Sequence, residues 1–247
     1  MSTFEKMTPN QRVQAVNIDC MRHPKFALLA GVIMMGKSEV TDKLPTAATN
    51  GKDKLYGSAF IADMNRKQLR YVVLHENFHV ALKHCVLYKD IKKKWSRKVN
   101  KAQDYVINGL IEEMDPQFTF VERPTNVKPL VDPKFAGMSF QQVFNLLPDP
   151  PEEEGGNRKK DDDVFDEHID ADDITFEEQQ DLERQIDDAN RQGEIIARKL
   201  AGKSGGGRDI FGLAADRSTD WLSALREFIS SVSSGDDNSR FCPPNKR

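Results

Sequence analysis

The residues His75, Glu76, Asn77, Phe78 and His79 place two histidines four positions apart with a glutamate directly after the first. On an α-helix each residue advances by about 100°, so His75 and His79 sit one turn apart on one face and both imidazoles can reach a single ion. Glu76 is then beside the ion and able to take the proton of a water molecule activated there. The chemistry that this arrangement serves is metal-assisted hydrolysis, with zinc as the expected ion and Glu76 as the base. The flanks support a helix: Tyr71, Val72, Val73 and Leu74 precede the motif, and Val80, Ala81 and Leu82 follow it. In so apolar a helix, three polar side chains are costly to bury unless something satisfies them.

Two histidines need a third protein ligand, and two candidates stand out. His84 lies about two and a half helical turns beyond His75, which turns it to the opposite face if the helix continues. No glycine between Val80 and Lys83 offers a bend, so His84 is expected to pack or hydrogen-bond beside the site. Asp104 is the better candidate, because a following helix that returns antiparallel can bring its carboxylate back, and a carboxylate is an acceptable zinc ligand. Asn108, one turn beyond Asp104, is suited to orient a ligand, and Tyr105 is a candidate for stabilising an oxyanion.

The elements that must position these groups follow from pattern and punctuation. Residues 8–22 read as a helix opened by Thr8 and Pro9, residues 25–35 as a second and mostly buried one, and residues 37–53 as a loop. Residues 54–62 are the best strand candidate, residues 66–89 the long motif helix, and residues 100–113 the returning helix after a basic connector. The prolines at 116, 124, 129 and 133 mark an irregular arm, and Ser139 caps a short helix to 147. Thr175 and Glu178 form a capping box for a polar helix to about 200, and a last amphipathic helix is expected over residues 218–232. The reading is an α+β fold, mainly helical with a small sheet: a catalytic domain over 1–148, an acidic flexible linker over 149–174 and a helical C-terminal appendage over 175–247.

Composition bounds the function classes. The 247 residues are 38% hydrophobic, enough for one sizeable core together with solvated segments. Three unpaired-looking cysteines, Cys20, Cys85 and Cys242, argue against a disulfide framework and for a reducing compartment such as the cytoplasm. The longest apolar run, residues 26–35, is too short to span a bilayer. The net charge of −3 conceals a basic stretch over 83–101 and an acidic tract over 152–188. The acidic tract reads first as a solvated linker, then as a cover for the basic stretch, and last as a nucleic-acid mimic; His168 within it and Cys242 near the end are weak metal candidates. The basic stretch with Trp95 leaves nucleic acid as a weakly supported partner.

At the motif helix, and at Asp104, Tyr105, Val106, Ile107 and Asn108, the chain resembles a family of bacterial and phage metallopeptidase-like proteins. In that family a zincin domain precedes a von Willebrand factor A-like domain. The resemblance implies a zinc peptidase with His75, His79 and Asp104 as ligands, acting on a protein or peptide in a bacterial or phage-infected cytoplasm. It also implies that the strand before the motif helix is the sheet edge that receives an extended peptide. The sequence stops about where the A-like domain would begin, so that domain is expected to be truncated, separately encoded as a partner protein, or absent. The rival reading is a non-catalytic, metal-stabilised module that binds a protein or nucleic acid.

Overall fold

A computed structural model describes residues 3–149 and 175–201. Residues 150–174, which hold nearly all of the expected linker and His168, and the segment from 202 onward, with Cys242 and the helix expected over 218–232, lie outside the described residues.

Thr8 opens helix α1 (Pro9–Arg22): its side chain accepts from the Gln11 N–H, and Gln11 returns the bond to the Thr8 backbone. A 3-10 turn (Ala27–Leu29) leads directly into the short α2 (Ala30–Met34). The stretch expected to be a loop instead holds two strands, β1 (Ser38–Thr41) and β2 (Ala47–Thr49). Both escape a periodicity reading because they are only four and three residues long. The strand expected over 54–62 is shorter, β3 (Lys54–Gly57), and turns into the short helix α3 (Ser58–Ala62).

The sheet order is β1-β3-β2, with β1 parallel and β2 antiparallel to β3. The strand carrying Tyr56 is therefore central, which corrects the expectation that it is a free edge: both of its sides already hold a partner. At the outer edges, Val40 N–H donates to Asn10 Oδ1 and Ser38 O accepts from Gln14 Nε2, both side chains of α1, while Thr49 O faces Cys85 Sγ.

The motif helix, α4 (Arg66–Ala81), opens with a capping box in which Asn65 accepts from Lys67 and Gln68. Every residue from Tyr71 to Ala81 is buried, so this helix is the axis of the core. It does not reach 89 as its pattern predicts. Lys83 takes a left-handed conformation (φ 57°, ψ 29°), and a new short helix, α5 (His84–Leu87), starts in another direction. The basic connector is itself helical: α6 runs Lys89–Met114 with a kink at Trp95. Its basic side chains are partly consumed by packing, since the buried Lys98 places Nζ 2.6 Å from Asp149 Oδ1 and 4.5 Å from the Phe144 ring.

Asp115 ends α6, and its carboxylate accepts from Thr119 N, Thr119 Oγ1, Phe120 N and Val121 N, tying down the chain reversal. Beyond it lie a 3-10 turn (Pro133–Phe135) and α7 (Phe140–Leu146), which close an apolar cluster on α6 around Val99, Val106, Phe140 and Val143.

Helix α8 (Phe176–Ala201) is where the polar C-terminal helix was expected, but it belongs to the same compact unit as the residues before it. Ile186 and Ala189 are buried, and the backbones meet closely at two glycines. A Cβ on Gly193 would stand 1.9 Å from Leu28 O, and one on Gly31 would stand 1.9 Å from Ala189 O. Among the described residues no helix is long and apolar enough to cross a membrane.

Two predictions follow from this packing. Gly-to-Ala in a helix interior ordinarily gains about 1 kcal/mol. At Gly193 the added methyl meets a backbone carbonyl that cannot rotate away, and overpacking of this kind costs about 1–3 kcal/mol. Gly193→Ala should therefore lower the Tm by roughly 3–8 °C, whereas Gly109→Ala, with nothing within 4 Å, should hold or raise it. Calorimetry on the two variants separates close helix contact from helix propensity.

The second concerns acid. Burial pushes the Asp115 carboxyl up, but its hydrogen bonds to Val121, Thr119 and Phe120 outweigh that and hold it at about 2, below the ordinary 3.8. Its stabilising effect is complete above pH ~4 and is lost as pH falls from there toward 2, where the folded state too becomes protonated. The stability difference between wild type and Asp115→Asn, measured by urea midpoints, should shrink steadily between pH 5 and pH 2.

Candidate metal centre

Helices α4 and α6 pair antiparallel, and polar side chains meet in rungs spaced by one turn. His79 Nε2 lies 3.4 Å from Asp104 Oδ1, and His75 Nε2 lies 3.6 Å from the same oxygen. One turn along, Asn108 Oδ1 is 2.9 Å from His75 Nδ1. One turn further, Tyr71 faces Glu112, which Arg123 grips with two bonds of 2.6 and 2.7 Å. Burial, then the Glu112 charge, raises the Tyr71 hydroxyl pKa well above its ordinary value.

The protonation of the histidines follows from their partners. Asn108 Nδ2 donates to Leu130 O at 3.1 Å, which fixes the amide so that Oδ1 faces His75. His75 must then donate from Nδ1, leaving the Nε2 lone pair directed inward. That Nε2 stands 3.0 Å from the Nε2 of His79, so both imidazoles point the same kind of atom at one spot. His79 Nδ1, on the outer side of its ring, is 3.1 Å from His84 Nδ1.

These donor atoms can be tested against an ion. Nitrogen and oxygen ligands at about 2.0–2.2 Å from a tetrahedral centre lie about 3.4 Å from one another. The three separations here, 3.0, 3.4 and 3.6 Å, straddle that value. Two neutral imidazoles and one carboxylate make a donor set suited to a divalent ion, and the His75, His79 and Asp104 side chains could hold one.

Glu76 is fully buried on the flank of α4 beside His75. Tyr56 of β3 is on its side: burial raises the Tyr56 hydroxyl pKa first, and the Glu76 charge raises it further. Tyr105 follows Asp104 on α6, but its ring packs at a tilt of 59° against Phe135, 4.7 Å between centroids, within the apolar cluster. His84 does not face away. The break at Lys83 reverses the direction that a continuous helix would have given it.

Four groups escaped the sequence reading: Tyr56, Tyr71, Arg123 and the Leu130 carbonyl. Glu112 was within reach of it, since Asp104, Asn108 and Glu112 recur at every fourth position of one helix. Arg123 and Leu130 arrive from the proline-rich arm, where no periodicity exists to read.

A family model described as "Putative metallopeptidase domain" matches residues 8–247. The chain belongs to this family. Nothing among the curated proteins or the solved structures matches it. The family thus supplies a metal and a peptide as expectations, and the von Willebrand factor A-like partner remains one as well.

Proposed function

We propose that the chain is a zinc peptidase in which His75, His79 and Asp104 hold the ion and Glu76 moves the protons. The observation that carries this reading is the convergence of two imidazole Nε2 atoms and one carboxylate oxygen, with the His75 tautomer set correctly by Asn108. Zinc suits this mixed nitrogen and oxygen set and would supply a Lewis acid that polarises the scissile carbonyl and acidifies water. His75 and His79 would hold it as neutral imidazoles through Nε2, and the Asp104 carboxylate would offset one of its two positive charges. Glu76 accepts the proton of the attacking water on its carboxylate and passes it to the departing amine. Tyr56 and the apolar wall of α4 keep bulk water from Glu76, which strengthens its electrostatic coupling to the site.

The substrate is a protein or peptide, and Cys20 and Cys85, neither of them in a disulfide, fit a cytoplasmic setting. One observation favours the rival reading of a non-catalytic metal-stabilised module: the three donors and Glu76 are all buried. The two readings differ in whether the metal-loaded protein hydrolyses peptides.

The purified protein should carry about one zinc per chain. Glu76→Gln should retain that zinc and lose hydrolysis of a casein or peptide-library substrate, because glutamine keeps the shape but cannot accept a proton. A wild-type protein that binds zinc and cleaves nothing would select the rival reading; loss of zinc in Glu76→Gln would make Glu76 a ligand.

Asp104→Ala should weaken zinc binding by more than the roughly 10–100-fold typical of residues that only support a ligand. Chelator competition measures this directly. An unchanged zinc affinity would remove Asp104 from the coordination set.

A further inference from the structure

Lys83 is a non-glycine residue in the left-handed region, a conformation that costs about 1–2 kcal/mol and persists only where the surroundings impose it. The surroundings are supplied by α8. Asn190 Nδ2 donates to Ala81 O at 3.0 Å, Asp187 Oδ1 pairs with Lys83 Nζ at 2.7 Å, and Gln179 Nε2 donates to Val86 O at 3.5 Å. These three contacts bracket the turn from the last residue of α4 to the body of α5.

The product of the turn is the position of His84. It is buried, its ring packs near Tyr88 and Phe140, and its Nδ1 meets Nδ1 of His79 at 3.1 Å. For His79 to present a lone pair on Nε2 beside that of His75, its proton must sit on Nδ1. That proton needs an acceptor, and the atom facing it is His84 Nδ1, whose own proton is then on Nε2. His84 thus stands to His79 as Asn108 stands to His75.

We propose that His84 is the positioning residue for His79, and that α8, through Asn190 and Asp187, clamps the left-handed turn that presents it. The affinity of the centre for metal is then set in part by a helix that supplies no ligand. This inference rests on the reading of His75, His79 and Asp104 as the metal site.

The test uses the full chain and zinc alone, read by chelator competition. His84→Phe keeps an aromatic ring against Tyr88 and Phe140 but removes the acceptor; His84→Asn places Oδ1 near the present position of Nδ1. His84→Phe should weaken zinc binding roughly 10–100-fold, and His84→Asn should restore most of it. Asn190→Ala and Asp187→Ala should each cost about 3–10-fold, and Asn190→Ala should add little on top of His84→Phe, since both act through one turn. Arg191→Ala, on the exposed face of α8, should change nothing.

An unchanged affinity in His84→Phe overturns the proposal, as does a His84→Asn variant no better than His84→Phe, which would assign His84 to packing. Equal losses from Asn190→Ala in both backgrounds overturn the clamp. If the wild type binds no zinc, the metal reading itself falls. Long-range nitrogen NMR of the zinc-loaded protein reads the positioning role directly: His79 should carry its proton on Nδ1 with His84 Nδ1 as its acceptor, and a protonated His84 Nδ1 would overturn the proposal.

Discussion

The register between α4 and α6 is the constraint on which the rest of this structure depends. Two helices rich in Val, Leu and Ile pack at the centre of the molecule and carry His75, His79, Asp104, Asn108 and Tyr71 into it without exposing them. Each such group, buried alone, costs several kcal/mol, and each is answered from the opposite helix in steps of one turn. A slip of one residue along α6 would put Gln103 or Tyr105 in place of Asp104 and Ile107 or Gly109 in place of Asn108, leaving the imidazoles unanswered. The polar rungs therefore specify the packing as much as they decorate it, and the site and the fold are one arrangement.

The other elements hold that register in place. Asp115 ends α6 by drawing the following backbone onto its carboxylate, and Arg123 returns from that loop to fix Glu112. Leu130, from the same arm, orients the Asn108 amide through its carbonyl. From the other side, α8 lies against the 3-10 turn and α2 at two glycines and reaches across to the end of α4. Polar as it is, α8 is part of this body, which is why its sequence keeps Ile186, Ala189 and Gly193 on one face.

What was legible in the sequence was whatever local pattern controls. The motif spacing, the caps at Thr8, Asn65 and Ser139 and the return of Asp104 all rest on periodicity and short-range hydrogen bonding, and these elements form where the pattern puts them. What was not legible depends on partners distant in sequence. Nothing local marks Lys83 for a left-handed turn; it is held by Asn190 and Asp187, about a hundred residues on. The strands β1 and β2 carry too few residues to show alternation and exist because β3 is between them. The placement of Tyr56 on a central strand comes from the same pairing.

That central placement bears on how a peptide would be held. Strand addition requires an open edge, and β3 has none. The β1 edge gives Val40 N–H and Ser38 O to Asn10 and Gln14, and the β2 edge faces α5 through Thr49 and Cys85. A substrate aligned by backbone pairing would have to displace these side chains. Burial of the donors favours a closed, structural ion. Glu76 weighs the other way. A divalent ion beside Asp104 alone would keep a net positive charge, which the Glu76 carboxylate would offset, and burying this second carboxylate carries a desolvation cost of several kcal/mol. That cost is understandable where the carboxylate has a proton to carry.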